Sequence, residues 1–472
     1  MNGPLSFLEL ALLGQALLWL AVMLIFVLTR QASIYHPLTV YLLFHGLVFV
    51  VRPWTVHYLD FVQVWQYIGF DPSEDQLLRA LAASSLALVV ISTSMVAFGW
   101  SDTRFKAAVP KPFTKEQQTA LVAVTLLLAP VVAYSIRTQY SGAFQVENRG
   151  GTYVMAGASG YSLEAQYMAG SLLAAWLLVK GFRWVTLLPI VPYVLYRTYA
   201  GMSRWTIVLL FLLITLIYAW QRRAKWPALW AILCAIPVFF LFKSIGDNRQ
   251  WLADRWAGKV QETPAVQSVQ DKLKTRYDSP DFANFDFLAY VVAVVPARTE
   301  TYTYGAQYLQ LFTEPIPRKL WPGKPVGAPV RLFNLNNYGN FLGMTPSLVG
   351  DGWMSGGWIG IIVTMTIVGG LLGAAHHWFW KRADAPMESL FYMVALALVP
   401  QWFRDGGISI TKFLFWNLSP LVLWVGLSWL MGQRRVPSCF LLLRPGTRVR
   451  LLQREANPVQ PHTLPPSGKF TR

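Results

Sequence analysis

Apolar residues gather in eleven runs along the chain, at 6–29, 37–52, 77–100, 119–136, 161–180, 183–198, 204–221, 226–243, 353–378, 387–402 and 413–431. Crossing a hydrocarbon core of about 30 Å takes roughly 20 helical residues. The pattern therefore predicts an all-α, polytopic membrane protein of about eleven transmembrane helices, with the runs at 37–52, 183–198 and 387–402 on the short side. Between the eighth and ninth runs lies a stretch of another kind, 244–352. Its first half is polar and charged, with Asp247, Arg249, Asp254, Arg255, Lys272, Lys274 and Arg276; its middle, Phe285 to Ala297, is apolar with Asp286 at the start. That middle is too short to span, and is expected to lie in the interface or to re-enter the membrane. Structureless loops of such length are uncommon and usually functional.

Composition strengthens this picture. Hydrophobic residues make up 54% of the 472 and charged residues only 13%, against roughly 25% charged in a soluble domain; mean hydropathy is +0.40. So few charges cannot wet a surface of this size, and lipid is the expected solvent for most of it. The 21 Trp and 20 Tyr suit a protein with two membrane–water interfaces, where amphipathic rings settle. Cys234 and Cys439 lie far apart and suggest neither a disulfide framework nor a metal site. No cleavable signal peptide is expected, because residues 1–10 hold no Lys or Arg and the first apolar run is too long for one.

Charge orients the stack. The connections near 30–36, 101–118, 180–183, 222–225 and 381–382, together with the tail after 431, hold 20 Lys and Arg. The alternate short connections hold eight: Arg52, Arg79, Arg137, Arg149, Arg197, Arg204, Arg404 and Lys412. The positive-inside rule assigns the richer set to the cytoplasm, which puts the N-terminus outside, the C-terminus inside and the long loop outside. Four regions follow: transmembrane helices over 1–243, a periplasmic loop subdomain over 244–352, transmembrane helices over 353–431, and a basic cytoplasmic tail over 432–472. The net charge of +17 is then mostly topological. The Pro-rich tail is expected to touch anionic inner-leaflet lipid, and with no folded basic domain, nucleic-acid binding is not expected.

Within the loop, residues 314–325 (EPIPRKLWPGKP) place four prolines among the eleven residues from Pro315 to Pro325. Prolines fix φ and hold a backbone shape without hydrogen bonds, so Arg318, Lys319 and Lys324 are presented from a stiff frame. Sequences that would bind nucleotide sugars through a metal (D-x-D), build a zinc protease (H-E-x-x-H) or cradle ATP (G-x-x-x-x-G-K) do not occur. His45 falls inside the second helix, where a packed, neutral, hydrogen-bonded histidine is expected. His376 and His377 fall near a cytoplasmic helix end and are expected at the interface. Glu9 is expected near the outer end of the first helix, within reach of water.

The stretch Pro315–Pro325 resembles the PR-x-x-W-P-x-KP signature of bacterial O-antigen polymerase-like proteins, the oligosaccharide repeat-unit polymerases. Three further features are similar to that family: Gly201-Met202-Ser203-Arg204 opening a helix, the run Gly350-Asp351-Gly352-Trp353-Met354-Ser355-Gly356-Gly357-Trp358-Ile359-Gly360 leading from the long loop into the next helix, and the order of short helices, long loop and two or three final helices. The resemblance covers about 200–380; the N-terminal half adds helix count and Arg52-Pro53, while 247–281 follows no pattern of the family.

The resemblance implies a metal-independent glycosyltransferase without cofactor in the bacterial inner membrane, acting on polyprenyl-pyrophosphate-linked oligosaccharides among membrane lipids, with a chain-length regulator as a further partner. Such chemistry needs positive charge where the pyrophosphate departs, a base for the acceptor hydroxyl and a groove for the lipid. Arg52, Arg149, Arg197, Arg204, Arg318, Lys324 and Arg404 are the expected pyrophosphate ligands, since the guanidinium fork makes paired hydrogen bonds. The base candidates are Asp286, Glu300, Glu314, Asp351, His57 and Glu164. Asp286 and Glu314 are favoured, the alternative being that each pairs with a nearby arginine. A glycan ligase of similar architecture remains open, as does a flippase for lipid-linked sugars, which would be marked by broken helices and inverted repeats.

Overall fold

The computed structural model describes residues 5–100, 112–140, 146–149, 152–155, 164–199, 205–228, 278, 282–313, 316, 320–321 and 345–433. These are helical almost throughout: α1 (Phe7–Leu28), α2 (Pro37–Leu59), α3 (Gln63–Ile68), α4 (Glu74–Gly99), α5 (Lys115–Tyr140), α6 (Met168–Lys180), α7 (Ile190–Tyr199), α8 (Trp205–Gln221), α9 (Asn284–Val294), α10 (Ser347–Lys381), α11 (Pro386–Asp405) and α12 (Gly407–Gln433). One antiparallel hairpin, β1 (Val146–Arg149) and β2 (Thr152–Met155), pairs Val146 with Met155 and Arg149 with Thr152. Six segments are long and apolar enough to cross a membrane: Phe7–Leu28, Pro37–Leu59, Glu74–Gly99, Lys115–Thr138, Ser347–Lys381 and Phe413–Gly432.

Local signals set the helix starts. Ser6 with Glu9, Ser73 with Gln76 and Thr114 with Gln117 each exchange side-chain and backbone hydrogen bonds across three residues, satisfying two orphan N–H groups apiece. The interior of α2 widens into a π-turn over Gly46–Val51. Pro53 is the cause: it lacks an N–H and its ring crowds the carbonyl four residues back, so the ladder opens just before Arg52.

The expected runs differ from the observed helices where glycine or proline intervenes. The run at 161–180 yields the 13-residue α6, preceded by a 3-10 turn at Ala165–Tyr167 and ended, as expected, before Gly181 at φ +75°. The run at 183–198 divides into a turn at Trp184–Leu187 and the 10-residue α7, while α8 has 17 residues. The run at 226–243 lies almost wholly outside the described residues. The apolar stretch expected to lie in the interface or to re-enter forms α9, which is buried nearly all round, as suits a helix that is hydrophobic on every side.

The central pair is α4 with α10. A Cβ on Gly373 would lie 2.7 Å from the Met95 carbonyl oxygen and 2.9 Å from the Gly99 nitrogen; one on Gly369 would lie 2.8 Å from Ser94 Cβ. Gly369 and Gly373 thus form a small-xxx-small stripe that lets two backbones touch, the device expected where lipid offers no hydrophobic drive for association. Polar crosslinks join further pairs: Gln15 donates to Ser84 at 2.6 Å and the Trp19 indole to the Leu42 carbonyl at 2.9 Å.

Helix α10 is broken. Gly356 and Gly357 leave helical geometry, Gly357 at φ +59°. In a continuous helix residues nine apart are separated by about 13.5 Å, yet a Cβ on Gly352 would meet Ile361 Cα at 2.9 Å. The first arm of α10 is therefore folded back on the second. The expected start at 353 moves to Ser347 because the glycine-rich run itself is helical before the break.

Contacts sort the helix ends into two groups. At one end, Tyr58 reaches Glu9, Arg52 reaches α9, Asn284 reaches Arg404, Gly407 reaches Asp351, Tyr167 packs on Phe413, and Gln166 links Ser135 to Tyr196. At the other, Tyr35 meets Tyr392 and Ala224, Lys180 meets Gln118, Gly99 meets His376, and His376 packs on His36 with ring centroids 4.2 Å apart. His376 is buried, contrary to the interfacial position expected for it, because its Nδ1 donates to the Gly99 carbonyl and its Nε2 accepts from Trp380. His45 is also buried, with Tyr41 its hydrogen-bond partner.

Candidate functional site

The end of the bundle that holds Glu9 also holds Arg52, Asp286, Arg197 and Arg404. Arg52, delivered by the π-turn, is buried. Its Nε donates to Asp286 Oδ2 at 2.8 Å and its Nη2 to Asp286 Oδ1 at 2.9 Å, to Asp278 Oδ1 at 2.7 Å and to the Phe61 carbonyl at 3.2 Å. Both carboxylates are buried as well. One arginine thus faces two acidic groups, and both oxygens of Asp286 are engaged by it. The favoured base does pair with an arginine, and that arginine is one of the expected phosphate ligands.

The first turn of α9 carries more than Asp286. Asn284 Nδ2 donates to the Arg404 carbonyl at 2.9 Å and to Thr345. This ties the Arg52 cluster to the α11–α12 corner, where Arg404 Nη1 lies 3.2 Å from Asp405. In that corner Gly406 takes φ +84°, and Asp351 Oδ2 accepts from the Gly407 N–H at 2.6 Å. Tyr308 lies alongside; burial pushes its hydroxyl up and the charge of Asp351 adds to the rise, against a hydrogen bond with Thr364.

A third group surrounds Arg197. It is buried at the C-terminal end of α7, with its guanidinium 5.1 Å over the Tyr167 ring. Tyr167 and Tyr193 line a narrow cleft whose other walls include Leu209, Leu213, Leu398 and Asn417, from α8, α11 and α12. A fixed cation beside one wall of an apolar cleft suits an amphiphile with an anionic head.

The remaining expected residues divide. Arg149 lies in β1, where only its backbone is described; Glu314, Arg204, Arg318 and Lys324 lie outside the described residues. Of the other base candidates, His57 sits 3.7 Å from Glu9, and Glu300 follows α9 at φ +57°. Among the described residues no three His, Cys, Asp or Glu side chains come together as metal ligands. No protein family, curated protein or solved structure matches this chain.

Sequence reasoning missed Asp278, Asn284 and the Tyr167–Tyr193 pair. Asp278 and Asn284 are ordinary loop polar residues until folding sets them beside arginines. The tyrosines did leave a signal: Tyr193 and Arg197 are four apart on one helix, hence on one face.

Proposed function

We propose that this chain is a membrane glycosyltransferase that moves a glycan from a polyprenyl-pyrophosphate carrier to a hydroxyl of a second lipid-linked unit, polymerising oligosaccharide repeats. The observation that carries the reading is Arg197, a buried cation over the ring of Tyr167, which lines an apolar cleft. The cleft receives the first part of the lipid, and Arg197 meets the diphosphate. As the anomeric carbon–oxygen bond breaks, negative charge grows on the pyrophosphate; a guanidinium already held in place stabilises it without reorganisation in a dry site. Arg204, from the α7–α8 connection, and Arg318 and Lys324, from the long loop, are the further ligands in this reading.

The charge pattern supports a topology with that loop and the N-terminus in the periplasm and the C-terminus in the cytoplasm of a bacterial inner membrane, with about eleven spans. The grouping of helix ends agrees with it, since Glu9, Tyr58, Tyr196 and Arg404 share one end and Lys180, Arg223 and Lys381 belong to the other.

The test is purified protein in lipid nanodiscs with lipid-linked oligosaccharide extracted from the host. Processive elongation gives a ladder of products and supports the polymerase. A single transfer onto another lipid or a protein identifies a ligase. One observation favours a second reading: the broken α10, since interrupted helices line transport sites. Movement of fluorescent lipid-linked sugar across proteoliposomes with no ladder would establish the flippase instead.

A further inference from the structure

We propose that Asp351 is the general base for the acceptor hydroxyl; the inference rests on the glycosyltransferase reading above. Asp351 is fully buried, and only one of its oxygens is used: Oδ2 accepts from Gly407 N–H, whereas Oδ1 has no hydrogen-bond partner among the described residues. Asp286, by contrast, has both oxygens engaged by Arg52. A lone acceptor in a buried carboxylate is costly to leave unsatisfied; it is stable there when a donor is brought to it.

A second such atom lies close by. Gln307 is buried, its Nε2 donates to Ser355 Oγ at 2.6 Å, and Ser355 Oγ in turn donates to the Asp351 carbonyl at 2.8 Å. Its Oε1 also has no partner among the described residues. Ser355 thus links Gln307, from the segment 302–309, to the Asp351 backbone on α10.

The break in α10 decides what the two acceptors receive. Unwound carbonyls often bind alkali cations in membrane proteins, but two of those beside the break already hold hydrogen bonds. The Asp351 carbonyl accepts from Ser355, and the Met354 carbonyl accepts from both the N–H and Oγ1 of Thr303, at 2.8 and 3.1 Å. Asp351 Oδ1 and Gln307 Oε1 alone are too few for a metal ion, which takes roughly six or more oxygens. They suit a hydroxyl donor. Thr303 hydrogen-bonds to the Met354 carbonyl, Gln307 to Ser355 and Tyr308 to Thr364, so the 302–309 segment lies against both arms of α10.

The step balances as follows. The acceptor hydroxyl gives its proton to Asp351 Oδ1 while its oxygen forms the new bond to the anomeric carbon. The bond from that carbon to the carrier's phosphate oxygen breaks, and its electron pair leaves with the pyrophosphate. The proton then passes from Asp351 to the departing pyrophosphate or to solvent. Gln307 Oε1 accepts from a neighbouring hydroxyl of the same sugar and orients it.

Asp351 also caps the start of α12, and the experiment separates the two roles. Asp351→Asn keeps an oxygen for Gly407 and removes the base. In the nanodisc assay with host lipid-linked oligosaccharide, its elongation rate is expected to fall by ~10²-fold or more, with thermal stability and retention of the lipid-linked donor unchanged. In Asp351→Gly, added formate is expected to restore part of the rate, which a cap alone would not allow. Should neither variant fold, carbodiimide labelling of wild-type Asp351, located by peptide mass, is expected to be slowed by acceptor. Wild-type protein without transfer would remove the glycosyltransferase reading and this inference together. Wild-type transfer with a near-normal rate in Asp351→Asn, no formate rescue, or labelling unaffected by acceptor would overturn the base alone.

Discussion

Arg52 and Asp286 are 234 positions apart and are joined by two parallel hydrogen bonds, Nε to Oδ2 at 2.8 Å and Nη2 to Oδ1 at 2.9 Å. Such a fork fixes α9 against α2, and Asp278 shares the same guanidinium at 2.7 Å. Arg52→Ala removes the counter-ion of the buried Asp286 carboxylate and is expected to cost about 3–5 kcal/mol. Arg52→Lys restores the charge but not the fork and should recover only part of this. Thermal unfolding of the detergent-solubilised variants measures both; an unchanged transition in Arg52→Ala would show that the pair contributes little to the fold.

The backbone contact of α4 with α10 predicts a sharp contrast between glycines. Gly373→Val places carbon against the Met95 carbonyl and the Gly99 nitrogen and is expected to lower the amount of folded protein in membranes severely. Gly426→Ala on α12 meets nothing within 4 Å and should be neutral. Size-exclusion profiles of the two variants distinguish them directly.

For the phosphate ligands, Arg197→Ala, Arg204→Ala and Arg318→Ala are each expected to abolish long-chain glycan while the protein stays in the membrane. Lysine at these positions should rescue poorly, because a point charge cannot reproduce paired hydrogen bonds. Glycan length on gels and donor retention by purified protein are the readouts. Full-length polymer from all three alanine variants would remove arginine from the pyrophosphate site.

Topology is tested by reporter fusions after Gly323 and after Gln433. Periplasmic activity is expected at the first and cytoplasmic activity at the second. The reverse result would overturn the orientation drawn from the 20-to-8 bias in Lys and Arg.

The long apolar helices were legible because their signal is local: unbroken hydrophobic runs and caps such as Ser73 with Gln76. The stretch that forms α9 was legible as an apolar run too short to span, but its burial on every side was not. What was not legible depends on chain crossings. Nothing near Arg52 announces that its partner is Asp286 and not a phosphate, and nothing near Asp351 announces that one oxygen is spent on Gly407. The His36–His376 stack was hidden for the same reason: each histidine sits near a helix end, where exposure is the ordinary expectation, and only the meeting of α2 with α10 buries them. The proline-rich signature at Pro315–Pro325 lies largely outside the described residues.

The elbow at Gly356 and Gly357 also answers a problem of length. Thirty-five helical residues in one straight rod would extend about 52 Å, far beyond the ~30 Å thickness of a hydrocarbon core, and the surplus would have to tilt steeply or stand in water. Folding at the two glycines leaves 358–381, about 36 Å of helix, to match the bilayer. The surplus becomes a short buttress laid against that rod, carrying Asp351 with it. Straightening the elbow by Gly357→Ala would therefore act as a change in hydrophobic length as well as a local strain, and the variant should prefer thicker bilayers than the parent does.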